Sequence, residues 1–289
     1  MKGRIRREKL MHGVFFLTAC ASILAVALIC IFLFANGVPA TAKIGLLPFF
    51  TGKNWAPSNY PPAFGIFPMI VGSLYVTLGA ILVGVPVGVL TAVFLAEYCP
   101  EWLYRVLKPG VQLLAGIPSV VYGFFGLMVL VPLIRDYLGG SGFSIAAASL
   151  LLGMMILPTV IGVSEAAIRS VPSEYYAGAL ALGANHERAV FSIVLPAARS
   201  GIFASVILGI GRAIGETMAV VMVAGNQARL PARITQGVRT MTANIVLEMG
   251  YAAGLHREAL IATGMVLFVF ILAINLLFAL LRRRASHGE

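Results

Sequence analysis

The chain has 289 residues, of which 60% are hydrophobic and only 11% are charged, with a formal net charge of +10. Soluble globular domains carry about 25% charged residues, and a chain this apolar would expose more hydrophobic surface than water tolerates, which excludes an ordinary soluble protein. The basic excess is not a nucleic-acid footprint, because Lys2, Arg4, Arg6, Arg7 and Lys9 precede the first apolar run and Arg282, Arg283 and Arg284 follow the last, as in membrane spans flanked by headgroup-contacting charges.

Residues 14–35 carry no charge and are long enough to cross the ~30 Å hydrocarbon core. A signal peptide is the alternative, but the run exceeds a typical h-region and further spans follow. Cys20 and Cys30 lie in this run and Cys99 at a later span end. Their spacing gives neither a disulfide framework nor a zinc site, so buried small apolar side chains are expected. Residues 36–68 hold Pro39, Pro48, Pro57, Pro61, Pro62 and Pro68, a density that predicts a loop without continuous helix. Trp55, Tyr60, Phe64 and Phe67 suit a segment at the membrane surface.

The second span is expected over 69–96, with Gly72, Gly79, Gly84 and Gly88 for close helix approach and a kink at Pro86. The third is expected over 111–134, and the fourth over 143–164 with Pro158 inside. Residues 168–199 are polar yet of helical composition. Pro172 and Ser173 start a helix, Gly183 stops it, and Asn185 caps a second one that ends before Pro196. The fifth span, 201–224, is interrupted only by Arg212 and Glu216. Residues 226–257 are polar, with a short interfacial helix over 241–249, and the sixth span covers 259–281. Six spans put both termini on one side, and the basic residues are more numerous there, which favours cytoplasmic termini.

No enzyme constellation is visible. His12, His186, His256 and His287 are scattered. The glycines of 209–215 do not have dinucleotide-fingerprint spacing, and no phosphate-cradling GxxxxGK[ST] loop occurs. The anomaly is Arg212 with Glu216. Counted from Ser200, Arg212 lies ~18 Å into its span, where a charge costs about 2.5–3.5 kcal/mol on the insertion scale. Four residues apart, the two would share a helix face, with Gly209, Gly211, Gly215 and Thr217 beside them. One reading is a structural ion pair that holds helices in register. The other is a solute-pathway site, since an arginine fork suits an oxyanion.

The polar loop resembles that of the permease subunits of bacterial ABC importers. Gly183 is followed at the family spacing by Ile193, Leu195 and Pro196, while the family's Glu-Ala-Ala is Ala177–Gly178–Ala179 here. Glu174, one turn earlier, is the candidate to replace the missing glutamate. The stretches 114–126 (Leu-Ala-Gly-Ile-Pro-Ser-Val-Val-Tyr-Gly-Phe-Phe-Gly) and 209–219 (Gly-Ile-Gly-Arg-Ala-Ile-Gly-Glu-Thr-Met-Ala) look like the PstC-type permeases of phosphate importers.

The resemblance covers 65–282. It leaves 1–64 as a cytoplasmic segment, first span and outer loop, and 283–289 as a cytoplasmic tail. It implies an all-α, six-helix, type I (MetI-like) permease fold with cytoplasmic coupling helices in a bacterial inner membrane. It also implies a PstA-like permease partner, two PstB-like ATPase subunits, a PstS-like binding protein and phosphate as solute. Cofactors would be confined to ATP and Mg on the ATPase subunits. Arg212, Glu216 and Thr217 map onto the family's transport stretch, and Glu174, Ala177, Gly178, Ala179, Gly183, Ala184, Ile193, Leu195 and Pro196 onto its ATPase-coupling loop. The alternatives are a permease for another oxyanion and a self-sufficient secondary anion transporter.

Overall fold

A computed structural model describes residues 2–286; the last part of the expected tail, His287 included, lies outside the described residues. In chain order the helices are α1 (Lys2–Ile44), α2 (Leu46–Thr51), α3 (Phe67–Val93), α4 (Glu101–Gly116), α5 (Ser119–Phe125), α6 (Val131–Leu138) and α7 (Ile145–Arg169). They continue with α8 (Ser173–Ala181), α9 (His186–Ala189), α10 (Leu195–Gly215), α11 (Met218–Val223), α12 (Met241–Glu248) and α13 (Gly254–Ser286). Wider π-type turns extend or join helices at Phe94–Tyr98, Gly126–Leu130 and Val190–Val194. A two-residue hairpin, β1 (Trp55–Ala56) with β2 (Ala63–Phe64), closes the proline-rich loop.

Six helical segments are long and apolar enough to cross a membrane: Met11–Ile44, Phe67–Tyr98, Ser119–Leu138, Ile145–Arg169, His186–Gly215 and Gly254–Leu277. Several boundaries differ from expectation. Helix α1 runs through Pro39 to Ile44, because a helix held by its neighbours tolerates one missing N–H; Ala40 and Thr41 are buried there. Cys20 is exposed on α1 rather than buried. The third span starts at Ser119, since Pro118 is extended (φ −60°, ψ 143°) and assigns 111–116 to α4. The helix after Asn185 does not end before Pro196. The π turn shifts the hydrogen-bond register there, and Pro196 falls in the first turn of α10, where its missing N–H costs little.

Helix α7 is the axis of the bundle. Buried residues make up 67% of its most apolar window, against 0–33% for the other five spans. Its Ser144 cap accepts the Ala147 N–H at 3.2 Å. Small residues let α3 run alongside it: a Cβ on Gly84 would stand 2.7 Å from the Gly153 carbonyl oxygen and 2.8 Å from Ile156. Leu151, Leu152, Met155, Ile156 and Val160 of α7 form one core with Val76 and Ala80 of α3 and with Val220 and Val223 of α11. Burying each such side chain contributes about 1.5–3 kcal/mol in water; within lipid, the dense interlocking itself drives association.

At the end of the bundle that carries the proline-rich loop, the Glu248 carboxylate ties three segments together. It accepts from Trp55 Nε1 at 2.8 Å, pairs with Arg239, and lies 2.8 Å from His256 Nε2. The loop thus has fixed structure despite its prolines. At the start of α13, Lys43 of α1 meets Glu258 at 2.7 Å, so α13 begins on the side where α1 ends and the two pack antiparallel.

Glycine at position 84 permits the α3–α7 contact, so Gly84→Val is expected to cost about 1–3 kcal/mol through overpacking. The check is a lowered apparent Tm and a loss of monodisperse protein in detergent. Gly110→Ala is the control and should not lower Tm, since nothing lies within 4 Å of the added carbon and alanine favours the helix.

Candidate functional site

Helix α10 crosses α7 along a seam of small and polar residues. Gly201 lies against Ala167, Ser205 Oγ is 2.7 Å from Ser164 Oγ, and Gly209 lies against Val160. This stripe turns one face of α10 onto α7, and the next residue on that face is Arg212. Its Nη1 donates to Thr159 Oγ1 at 3.4 Å. Thr159 lies ~21 Å along α7 from Ile145, so Arg212 stands deep between the two ends of the bundle.

Arg212 and Glu216 form no ion pair, so the reading of them as a structural pair is not met. Helix α10 ends at Gly215, and Glu216 is extended (φ −69°, ψ 132°), so Arg212 and Glu216 do not share a helix face. The Glu216 carboxylate instead folds forward and accepts the N–H groups of Thr217 at 3.1 Å and Ala219 at 3.2 Å. It thereby caps α11, where a negative charge is favoured by the free N–H groups. Thr217 Oγ1 donates back to the Gly215 carbonyl at 3.2 Å, and Thr242 Oγ1 donates to the Glu216 carbonyl at 3.2 Å. Side chains of Glu216 and Thr217 and of Thr242 from α12 thus supply partners on both sides of the break in the fifth span, as a break at membrane depth requires.

Arg212, by contrast, has no carboxylate partner among the described residues. It is half-buried at the C-terminal end of α10, where the helix carbonyls favour a cation. Gly211 and Gly215 beside it, and Gly162 on α7, would each accept a Cβ with nothing within 4 Å. A guanidinium held by one long hydrogen bond and flanked by bare backbone can offer its remaining N–H groups to an oxyanion.

The stretches 114–126 and 209–219 come together in space. A Cβ on Gly123 would meet Met222 at 2.6 Å and the Ala219 backbone at 3.1 Å, and Gly126 lies against Val223. The Tyr122 hydroxyl, which donates to the Leu114 carbonyl at 2.9 Å, lies within electrostatic range of Arg212. Thr159 and Tyr122 were not expected at the site, since nothing in sequence spacing ties them to Arg212. A cavity of about 640 Å³ between α3, α7 and residues 231–234 does not reach Arg212; its walls are largely apolar, with Ser149 and Arg233 among them.

The other group of expected residues sits at the opposite end of α10. Glu174 is exposed in the first turn of α8, Ala177 and Gly178 are exposed, and Ala179 is buried. Gly183 (φ +85°) supplies the left-handed stop, Ala184 N–H donates to the Ala179 carbonyl, and Asn185 caps α9 through the Arg188 N–H at 2.9 Å. Ile193 and Pro196 are exposed and Leu195 is half-buried. His186 joins the two short helices: its Nδ1 lies 2.8 Å from Tyr176 Oη, and its ring packs 4.7 Å from Tyr98. Leu182 at the tip is 91% exposed. Arg212 is sixteen residues from Pro196, ~24 Å along α10, so the two groups are joined by that helix and not by contact.

The model of the family described as binding-protein-dependent transport system inner membrane component matches residues 84–287. The probable ABC transporter permease protein YqgH of Bacillus subtilis is 39% identical over 278 residues, covering 92% of this chain and 90% of that protein. The phosphate transport system permease protein PstC of Xylella fastidiosa is 35% identical over 262 residues, covering 83% and 80%. That of Mesorhizobium japonicum is 34% identical over 290 residues, covering 92% and 88%. Among solved structures, a bacterial ABC transporter involved in alginate import superposes with TM-score 0.64 at 16% identity, over 93% of this chain and 96% of that one. The MetNI methionine ABC transporter gives TM-score 0.56 at 20% identity, over 76% and 94%. At these identities the structural matches establish the type I importer permease fold.

Because Glu216 caps α11 rather than neutralising Arg212, the two should act independently. Glu216→Ala is expected to cost about 0.5–2 kcal/mol, as for a lost helix cap. In unfolding of the detergent-solubilised chain, the cycle with Arg212→Ala should show a coupling energy below about 0.5 kcal/mol.

Proposed function

The chain belongs to the binding-protein-dependent transport system inner membrane component family, which makes it a multi-pass inner-membrane permease subunit of an ABC importer, and from that premise we propose that it carries phosphate. A PstA-like permease forms the other half of the pathway. Two PstB-like ATPase subunits, which themselves carry ATP and Mg, dock on the cytoplasmic loop 174–196, and this chain holds no cofactor. A PstS-like binding protein delivers phosphate to the outer segments 36–68 and 226–257. Both termini are cytoplasmic, in keeping with the basic residues of the 1–13 and 282–284 segments.

The observation that carries this reading is Arg212. It is deep in the bundle, half-buried, next to open glycine backbone, and has no carboxylate partner among the described residues. An intramembrane cation without a counter-ion is costly unless a solute or a water-filled path supplies its partner. Phosphate offers the acceptor oxygens that a guanidinium fork matches. A single long hydrogen bond to Thr159 leaves the fork free and the anion weakly held, which suits a site that must release its cargo. The phosphate permeases among the relatives, at 34–35% identity, support the choice of solute. The exposed Leu182 supports the loop as the surface on which the ATPase subunits push.

The test is uptake of radiolabelled phosphate by the co-expressed complex in proteoliposomes, with sulfate, molybdate and phosphonate as competitors. Phosphate is expected to be imported only with ATP, and the competitors to inhibit weakly. Arg212→Lys, which keeps the charge and loses the fork, should lower uptake about tenfold, the scale of one charge-assisted hydrogen bond of ~1.5 kcal/mol. Uptake by this chain alone, or uptake unimpaired in Arg212→Ala, would refute the assignment.

A further inference from the structure

Glu165 is 1% exposed, one turn before the end of α7, and the site described above does not use it. A carboxylate so deeply buried requires partners, and it has a full set. Lys108 pairs with it from α4, and Tyr104 Oη, also from α4, donates to it at 2.8 Å. Arg169 Nε, one turn further along α7, donates to it at 3.1 Å. The same Arg169 reaches across to the Leu95 carbonyl at 2.7 Å and lies 4.7 Å over the Tyr104 ring. Glu165 thus fastens α4, α7 and the π turn that ends α3. The hydrogen bond to this carboxylate also pushes the Tyr104 phenol above its ordinary range, which keeps it a donor.

What matters is where this knot lies. On α7, Thr159, the Arg212 contact, is six residues before Glu165, ~9 Å along the axis. Arg169 is the last residue of α7, and four residues later Ser173 begins α8 of the exposed loop. On α4, the chain beyond Lys108 leads into Leu114, whose carbonyl takes the Tyr122 hydroxyl of the third span. Stability alone gives little reason for such a knot, since a buried ion pair is worth about as much as well-packed apolar side chains. A knot of this kind is either made or broken. Helices α4 and α7 cannot part while Lys108 and Tyr104 hold Glu165, and Lys108, with a quarter of its side chain exposed, can swing into water when they do. Coupling between distant sites is carried by elements with two such arrangements.

We propose that Glu165 is a positioning residue for transport, the joint through which movement of the 173–194 loop reaches the helices that present Arg212. The inference rests on the importer reading above and adds a specific role to a residue outside the pathway. Lys108→Gln separates this role from mere folding, because it removes the charged half of the α4 tie and leaves only Tyr104, while Glu165 keeps Arg169 on its own helix and is not left as a lone buried charge.

The experiment uses the co-expressed complex in proteoliposomes, with assembled complex quantified, and compares the unaltered chain with Glu165→Gln and Lys108→Gln. Solute imported per ATP hydrolysed is expected to fall about fivefold or more in both variants, with hydrolysis per assembled complex unchanged. A solute-independent arm labels Gly215→Cys with an aqueous thiol reagent. ATP should change the labelling rate in the Glu165 background and not in the Glu165→Gln background. An unchanged import ratio, an equal nucleotide response of Cys labelling, or a parallel loss of import and hydrolysis that tracks lost complex would each overturn the proposal. If the unaltered complex imports no phosphate, it is the solute assignment that fails, and the labelling arm still decides the role of Glu165.

Discussion

Everything in this chain depends on satisfying polar groups where no water can do it. Within a bilayer an unpaired N–H or C=O costs several kcal/mol, so a helix can stop at membrane depth only if its free ends find partners. The end of α10 at Gly215 meets that requirement locally. Glu216 covers the N–H groups that begin α11, and Thr217 and Thr242 reach the carbonyls of Gly215 and Glu216. The break places Arg212 at a helix terminus instead of mid-helix, and the rest of the site follows from that.

The same requirement explains why α7 is central. Arg212 can be presented at depth only if α10 lies flush against a neighbour, and the Gly201, Ser205 and Gly209 face achieves this on Ala167, Ser164 and Val160. Helix α3 approaches another side of α7 through Gly84, while α11 adds Val220 and Val223 to the same core. Small residues at each contact replace the side-chain bulk that would otherwise hold the helices apart.

The ionisable groups divide by role. Glu165 and Glu248 are buried and multiply hydrogen-bonded, one at each end of the bundle, and each ties together segments distant in the chain. Glu216 is consumed by a helix cap. Arg212 alone among these four keeps donor capacity without an acid to absorb it. This contrast makes it the candidate for contact with an anion, and it makes the buried acids candidates for holding and moving the frame around it.

The sequence by itself determined a great deal. Composition and long apolar runs are averages over many residues, and they specified six spans. Short-range chemistry specified the loop helices, since Pro172, Gly183 and Asn185 act on their immediate neighbours, and α8 and α9 formed where those signals lie. Charge at depth marked Arg212. The tertiary structure decided what depended on partners far along the chain. Helix α1 continued past Pro39 because α13 packs against it, α4 was separated from the third span at Pro118, and the fifth span stopped at Gly215. Spacing of four residues implied a shared face for Arg212 and Glu216 only if the helix ran on. Whether it did was settled by competition between one more helical turn and a carboxylate that could cap the next helix. Glu165 stayed hidden for the same reason: its i,i+4 partner Arg169 was visible, but Lys108 and Tyr104 are brought to it only by the fold.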